Sequence, residues 1–172
     1  RIELCLRRIF CIEHQEKNAM RVLSTYGNTY PFPLTEIIRS QWLSGVNMTY
    51  KKEVFEELQF DNNLTGYSLA EDFDFSFRLY KKFPGSLFIT PKAEVVHRAS
   101  IAERYPTEKI SYVNQINHFY FNFKNFNSSA KEKIIFAWVI LGITLLRTLL
   151  FLKTCRKQEA LKLKFYLKSL KY

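Results

Sequence analysis

The sequence predicts an α/β region followed by a helical, membrane-associated tail, and three observations carry that prediction. Strand-like and helix-like segments alternate through residues 1–104, separated by turns rich in Gly, Pro and Asn. Residues 134–152 (IIFAWVILGITLLRTLLFL) form a stretch of 19 residues with a single charge, Arg147. Positive charge is also concentrated at the end: residues 131–172 hold 10 Lys and Arg against 2 Asp and Glu, whereas residues 1–130 hold 16 against 14.

The chain's 172 residues suit one domain, or one domain with an appendage. With 47% hydrophobic residues and only five Gly and five Pro, collagen-like, low-complexity and largely disordered classes are excluded. The 16 Phe need a core, a membrane or a carbohydrate to cover them. A nucleic-acid module stacking bases on the aromatics of 112–126 is disfavoured, because the basic residues cluster elsewhere. Cys5, Cys11 and Cys155 are odd in number and widely spaced, so no disulfide framework follows and a reducing compartment fits best. Cys5, Cys11 and His14 lack a common zinc spacing. Asn47, Asn63 and Asn127 lie in N-x-[ST] sequons, which a chain with this much Asn, Ser and Thr acquires partly by chance. The chain opens with Arg1 rather than Met, and the expectation is a piece of something longer.

Residues 2–12 (IELCLRRIFCI) alternate imperfectly and are expected to form a strand or edge hairpin. Residues 24–35, with Gly27, Pro31 and Pro33, are expected to be a loop. WLSGVNMTY reads as a strand and loop around Gly45, and KKEVFEEL (51–58) as a short helix. FDNNLTGY is a turn-rich loop. SLAEDFDFSFRLYKKF follows as a helix, with Ser68 and Glu71 in a capping-box pattern and Pro84-Gly85 as its stop. SLFIT and AEVVH read as two short strands separated by Pro91. Residues 105–127 set Tyr105, Tyr112, Phe119, Tyr120, Phe121, Phe123 and Phe126 among polar residues, the pattern of a helix with an aromatic face near a membrane surface.

In 134–152, thirteen strongly apolar residues at about −0.3 to −0.6 kcal/mol each outweigh about +2.5 kcal/mol for a central Arg. Arg147 is off-centre and can snorkel. Three readings stay open: a span, a membrane-surface or re-entrant helix, and a buried core helix. Lys131 and Lys133 before it, and Lys153, Arg156 and Lys157 after it, do not orient it cleanly. The end of the chain (EALKLKFYLKSLKY) is basic and apolar together, suited to an anionic leaflet or to a solvated helix end.

WLSGVNM, then GYSLAEDFDFSFRL, then PKAEVVH, in that order and spacing, resemble the C-terminal half of the catalytic domain of family-2 glycosyltransferases with the GT-A fold. The resemblance covers roughly 41–97 and implies a partial GT-A-like mixed sheet. Its first motif implies a loop beside donor and acceptor sugars, matched by Gly45 with Trp42, Ser44 and Asn47 as substrate contacts. Its xED motif, matched by Ala70-Glu71-Asp72, implies Asp72 as the catalytic base with Glu71 in support. Its C-terminal His, matched by His97, implies a ligand to a divalent cation, Mg²⁺ or Mn²⁺. The chemistry needs these residue types. Inverting transfer requires a carboxylate to take the acceptor hydroxyl's proton as its oxygen attacks the sugar C1. A divalent ion stabilises the leaving diphosphate, and a Gly lets backbone approach the sugar.

Bland readings stand beside these. Glu71, Asp72 and Asp74 fall in a first helical turn, where carboxylates are favoured by the macrodipole whatever their function. Asp74 reads as structural, although Asp72-Phe73-Asp74 spells D-x-D. His97 suits a satisfied structural role, Gly45 a turn, Trp42 a core position, and His118 a place in the aromatic helix. The family's nucleotide-binding half, with its own D-x-D, has no counterpart in the roughly 40 residues before Trp42.

The expectation is therefore part of an inverting glycosyltransferase: residues 1–104 from the catalytic domain, 105–133 an interfacial aromatic region, 134–152 the membrane helix and 153–172 a basic tail. The intact enzyme would move sugar from a nucleotide-sugar donor to a lipid-linked or polysaccharide acceptor at the cytoplasmic membrane face, with the isolated chain inactive. The alternative is a non-catalytic, membrane-anchored binding subunit derived from such an enzyme.

Overall fold

The computed structural model describes residues 2–12, 19–31, 33–64, 70–98 and 106–171. His14, Ser68 and Tyr105 lie outside the described residues. The element order is α1 (Ile2–Ile9), β1 (Ile38–Arg39), α2 (Val54–Glu57), α3 (Glu71–Lys82), β2 (Phe88–Ile89), α4 (Thr107–Asn125), α5 (Ala130–Thr154) and α6 (Lys157–Ser169). The chain is thus mostly helical with one small sheet. It divides into a helical unit (Arg1–His14, Ser24–Gly27, Tyr105–Tyr172) and a second unit (Gln15–Leu23, Asn28–Arg104).

In the second unit, β1 and β2 pair antiparallel, Ile38 opposite Ile89 and Arg39 opposite Phe88. Met20 adds one parallel bridge to Ser40. The mixed sheet implied by the resemblance is not seen among the described residues, and WLSGVNMTY carries no strand. AEVVH is not a strand either. Val95 and Val96 are adjacent rather than alternating, both are exposed, and no described segment supplies a partner edge. The expected short helix in 51–58 forms as α2, and the described residues of the loop at 24–35 carry no helix or named strand, as expected.

Helix α3 organises this unit. Phe73, Phe75, Phe77 and Leu79 alternate as a strand would, yet on a helix they divide into two i,i+4 pairs on different faces, and all four are buried. Phe75 stacks on Phe60 (4.3 Å between centroids) and on Phe55 (5.6 Å), with Tyr50 edge-on at 5.0 Å. Leu79 joins Leu43 and Leu87 in a core flanked by Met48, Val54, Leu58 and Ile89. Asp74, fully buried, receives Arg78 Nε at 2.7 Å, and Arg78 also donates to the Gln59 carbonyl. The cap is Ala70, in the left-handed region (φ 71°), without a side-chain hydrogen bond, so the helix does not start in the Ser68–Glu71 register.

In the helical unit, the strand expected in 2–12 is a helix. Glu3 and Arg7 pair at i,i+4 (2.9 Å), while Leu6 and Phe10 share a face, and Phe10 is buried. Helix α1 docks on α5: Phe10 lies 4.8 Å from Trp138 between centroids, and Trp138 Nε1 donates to the Ile9 carbonyl at 3.0 Å. A Cβ on Gly142 would overlap the Phe10 side chain, so only glycine permits this approach. Helix α5 begins at a capping box of Ser129 and Glu132, four residues before the apolar stretch. It is long and apolar enough to cross a membrane. Only 11% of its most apolar window is buried among the described residues. Helix α6 packs on both α4 and α5, burying Tyr166 and Ser169, so one face of the basic tail is covered by protein.

Candidate functional site

The first turn of α3 holds three carboxylates with three different surroundings. Asp74 is buried and paired with Arg78, a structural arrangement that makes D-x-D here no metal signature. Glu71 is half-buried. Asp72, also half-buried, is the one that meets another motif: its Oδ2 accepts the Gly45 amide at 2.5 Å, while Oδ1 accepts the Phe73 amide at 2.8 Å.

The loop carrying Gly45 is fixed to α3 at two points. Besides the Gly45–Asp72 bond, the Leu43 amide donates to Ser76 Oγ at 2.9 Å, and Ser76 Oγ donates to the Asp72 carbonyl at 2.6 Å. Ser76 sits one helical turn after Asp72, so one buried hydroxyl ties the loop to the turn bearing the carboxylate. The loop closes on itself through the Asn47 amide and the Ser44 carbonyl (3.3 Å). Asn47 Nδ2 reaches the Ala93 carbonyl at 3.3 Å and so ties the third motif's segment to the first. Trp42 lies edge-on to Phe73 at 5.4 Å, and its indole N–H donates to the Thr29 carbonyl at 3.3 Å.

The three motifs are therefore held together by side-chain and amide bonds rather than by a wide sheet. Ser44, Gly45 and Asn47 are exposed, so the Asp72 carboxylate borders a solvent-facing loop. An ionised carboxylate accepts through about four lone-pair positions, and two are taken by amides. The rest remain for a hydroxyl proton.

Tyr50 and Ser76 are neighbours that sequence reasoning did not single out. The buried Tyr50 hydroxyl has no hydrogen-bond partner, while the Ser76 hydroxyl donates to the Asp72 carbonyl. Burial, aided by the Asp72 charge and opposed by the Ser76 hydroxyl, pushes Tyr50 up to about 12. The i,i+4 spacing of Asp72 and Ser76 was the available signal.

His97 is exposed at the end of the third motif. Among the described residues, no group of three or more His, Cys, Asp or Glu is placed to hold a metal ion. His118, on α4, stands 6.0 Å from the Tyr26 ring within the aromatic packing. Comparison of the chain with family models, curated proteins and solved structures finds no match.

Proposed function

We propose that the chain is the acceptor-side part of an inverting, family-2-like glycosyltransferase working at the cytoplasmic face of a membrane. The observation that carries the reading is the Gly45 amide on the Asp72 carboxylate, which joins two of the motifs on which the resemblance rests. In this reading Asp72 takes the proton of an acceptor hydroxyl as that oxygen forms a bond to C1 of the donor sugar. The bond from C1 to the nucleoside diphosphate breaks on the opposite side. Glu71 supports the helix start beside Asp72. Trp42, Ser44, Gly45 and Asn47 line the sugar side.

Among the described residues, no group of three or more His, Cys, Asp or Glu is placed to hold Mg²⁺ or Mn²⁺. His97 stays a candidate for one contact to a cation brought with the donor diphosphate. Helix α5, long and apolar enough to span, supports membrane attachment. A lipid-linked or polysaccharide acceptor fits that attachment.

The test is transfer from nucleotide-sugar donors by membranes carrying the chain in its native coding context. Donor-dependent glycan formation supports the reading. Donor binding or glycan binding without any turnover would instead favour a non-catalytic, membrane-anchored partner subunit.

A further inference from the structure

Helix α5 does not stand alone in the helical unit. Phe10, just after α1, packs against Gly142 near the middle of the apolar run 134–152. Trp138 Nε1 holds the Ile9 carbonyl beside it, and Arg7 and Arg8 on the same short helix are exposed. On another face of α5, α6 folds back along it after the turn at Cys155 and Arg156. The Tyr166 hydroxyl donates to the Ile140 carbonyl at 3.3 Å, and the Arg147 guanidinium lies 4.7 Å from the Tyr166 ring centroid. Tyr166 follows the turn yet reaches back to Ile140, so α6 runs antiparallel to α5. Lys164 and Lys168 are exposed on either side of Tyr166 in the sequence.

An α5 that crossed a bilayer in this arrangement would carry charged parts of α1 and α6 into the hydrocarbon. A lysine at the bilayer centre costs about five times what a leucine there gains. Lying along one leaflet removes that conflict. Ile134, Trp138, Leu141, Leu145, Leu149 and Leu152 recur every third or fourth residue, so they share one face of α5, and all are exposed. The helical period turns that face away from Ile140 and Arg147, where α6 sits. Exposed basic residues stand at both ends of the run, Lys131 and Lys133 before it and Lys153, Arg156 and Lys157 after it. Across a membrane they would fall on opposite sides and orient nothing. Along one leaflet they meet the same anionic headgroups. We propose that the helical unit docks on a single anionic leaflet, with α5 in its plane and the open stripe facing the acyl chains. The proposal rests on the membrane attachment within the proposed function and not on its transfer chemistry.

The test reconstitutes the chain into sealed vesicles of phosphatidylcholine and phosphatidylserine. Cys5→Ser and Cys11→Ser leave exposed Cys155 after α5, and Lys131→Cys adds a thiol before its apolar run. A membrane-impermeant maleimide labels from outside, mass spectrometry counts the labels per molecule, and detergent-opened vesicles show that both thiols react. An in-plane α5 gives molecules with two labels or none, whichever way each chain inserted. Molecules with one label mean that α5 spans, which overturns the proposal and leaves membrane attachment intact. The second arm is flotation of the parent chain with preformed vesicles. Partition should be several-fold higher with phosphatidylserine present than with phosphatidylcholine alone, and Lys131→Gln with Lys153→Gln should lower it at least about tenfold. Leu145→Gln with Leu149→Gln, both at exposed positions and so compatible with the fold, should lower partition to either vesicle at least about tenfold. Indifference to lipid charge, or unchanged partition in both double variants, overturns the proposal. Absence of flotation overturns it too, and counts equally against the attachment in the proposed function.

Discussion

The Gly45 amide donates to Asp72 Oδ2 across 2.5 Å, although the two residues are 27 apart in the chain. The approach is close enough that a Cβ on residue 45 would stand 3.1 Å from that oxygen and 3.2 Å from Asp72 Cβ. Gly45 is not among the glycines with positive φ, so its preference for glycine comes from this close contact rather than from backbone conformation. The loop and the carboxylate are therefore one mechanical element, and a change in either is felt by the other.

Gly45→Ala should accordingly destabilise the chain by about 1–2 kcal/mol through crowding. It should also displace the loop from the carboxylate. Asp72→Ala removes the closer of the two contacts, so the pair should be coupled by about 0.5–1 kcal/mol in a double-mutant cycle read from urea midpoints. Additive losses would mean that the loop is not held against Asp72 in solution.

Asp72 and Asp74 should respond differently to amide substitution. Asn at 72 can still accept one backbone N–H, so Asp72→Asn should cost no more than about 1 kcal/mol of stability. In an active preparation it should lower turnover by about 10²–10⁴-fold with donor binding retained. Turnover within a few-fold of the parent would remove Asp72 as the base. The buried Asp74–Arg78 pair belongs to the fold instead: Arg78→Met takes the guanidinium away from a fully buried carboxylate and should cost about 3–5 kcal/mol, measured by chemical denaturation.

Tyr50 supplies a pH signature. Its phenol ionises at about 10.0 when exposed and at about 12 in the folded chain. The unfolded state therefore loses its proton first as pH rises. The stability linked to Tyr50 is fully present below pH 10.0 and is lost as pH climbs through about 12. Tyr50→Phe should be neutral or slightly stabilising at pH 8, because the hydroxyl it deletes has no partner. It should also flatten the alkaline fall in urea midpoint between pH 8 and 11. Tyr26, pushed up to about 12 mainly by burial, retains a fall of the same sign. A fall as steep in the variant as in the parent would count against Tyr50.

What was legible in the sequence depended on how far each signal reached. Helices α3 to α6 were readable because capping residues, Pro-Gly stops and long apolar or aromatic runs act locally. The S-x-x-E signature was informative, yet it marks the start of α5 at Ser129–Glu132 rather than that of α3. The strand or edge hairpin expected in 2–12 failed because a short apolar segment suits either period, whereas the Glu3–Arg7 pair at i,i+4 belongs to a helix. AEVVH failed because strand propensity is worth little without a partner edge. The bond between Gly45 and Asp72 could not be read from spacing at all. It depends on Ser76, whose hydroxyl positions the loop, and no local pattern announces that tertiary contact.

Gly142 gives the corresponding test in the helical unit. The Phe10 ring occupies the space where a Cβ on residue 142 would lie, and the Ile9 carbonyl is held by Trp138 one turn earlier on α5. Gly142→Ala should therefore push α1 off α5 at a cost of about 1–3 kcal/mol. The direct readout is amide hydrogen exchange, which should lose protection across Ile2–Ile9 while α5 around Val139 keeps its own. Phe10→Gly takes away both the ring and the Cβ that stand where the new methyl would lie, so the double variant should regain part of the lost stability relative to Gly142→Ala alone. If Phe10→Gly instead adds its full cost to that of Gly142→Ala, the close approach of α1 to α5 is not what glycine is needed for.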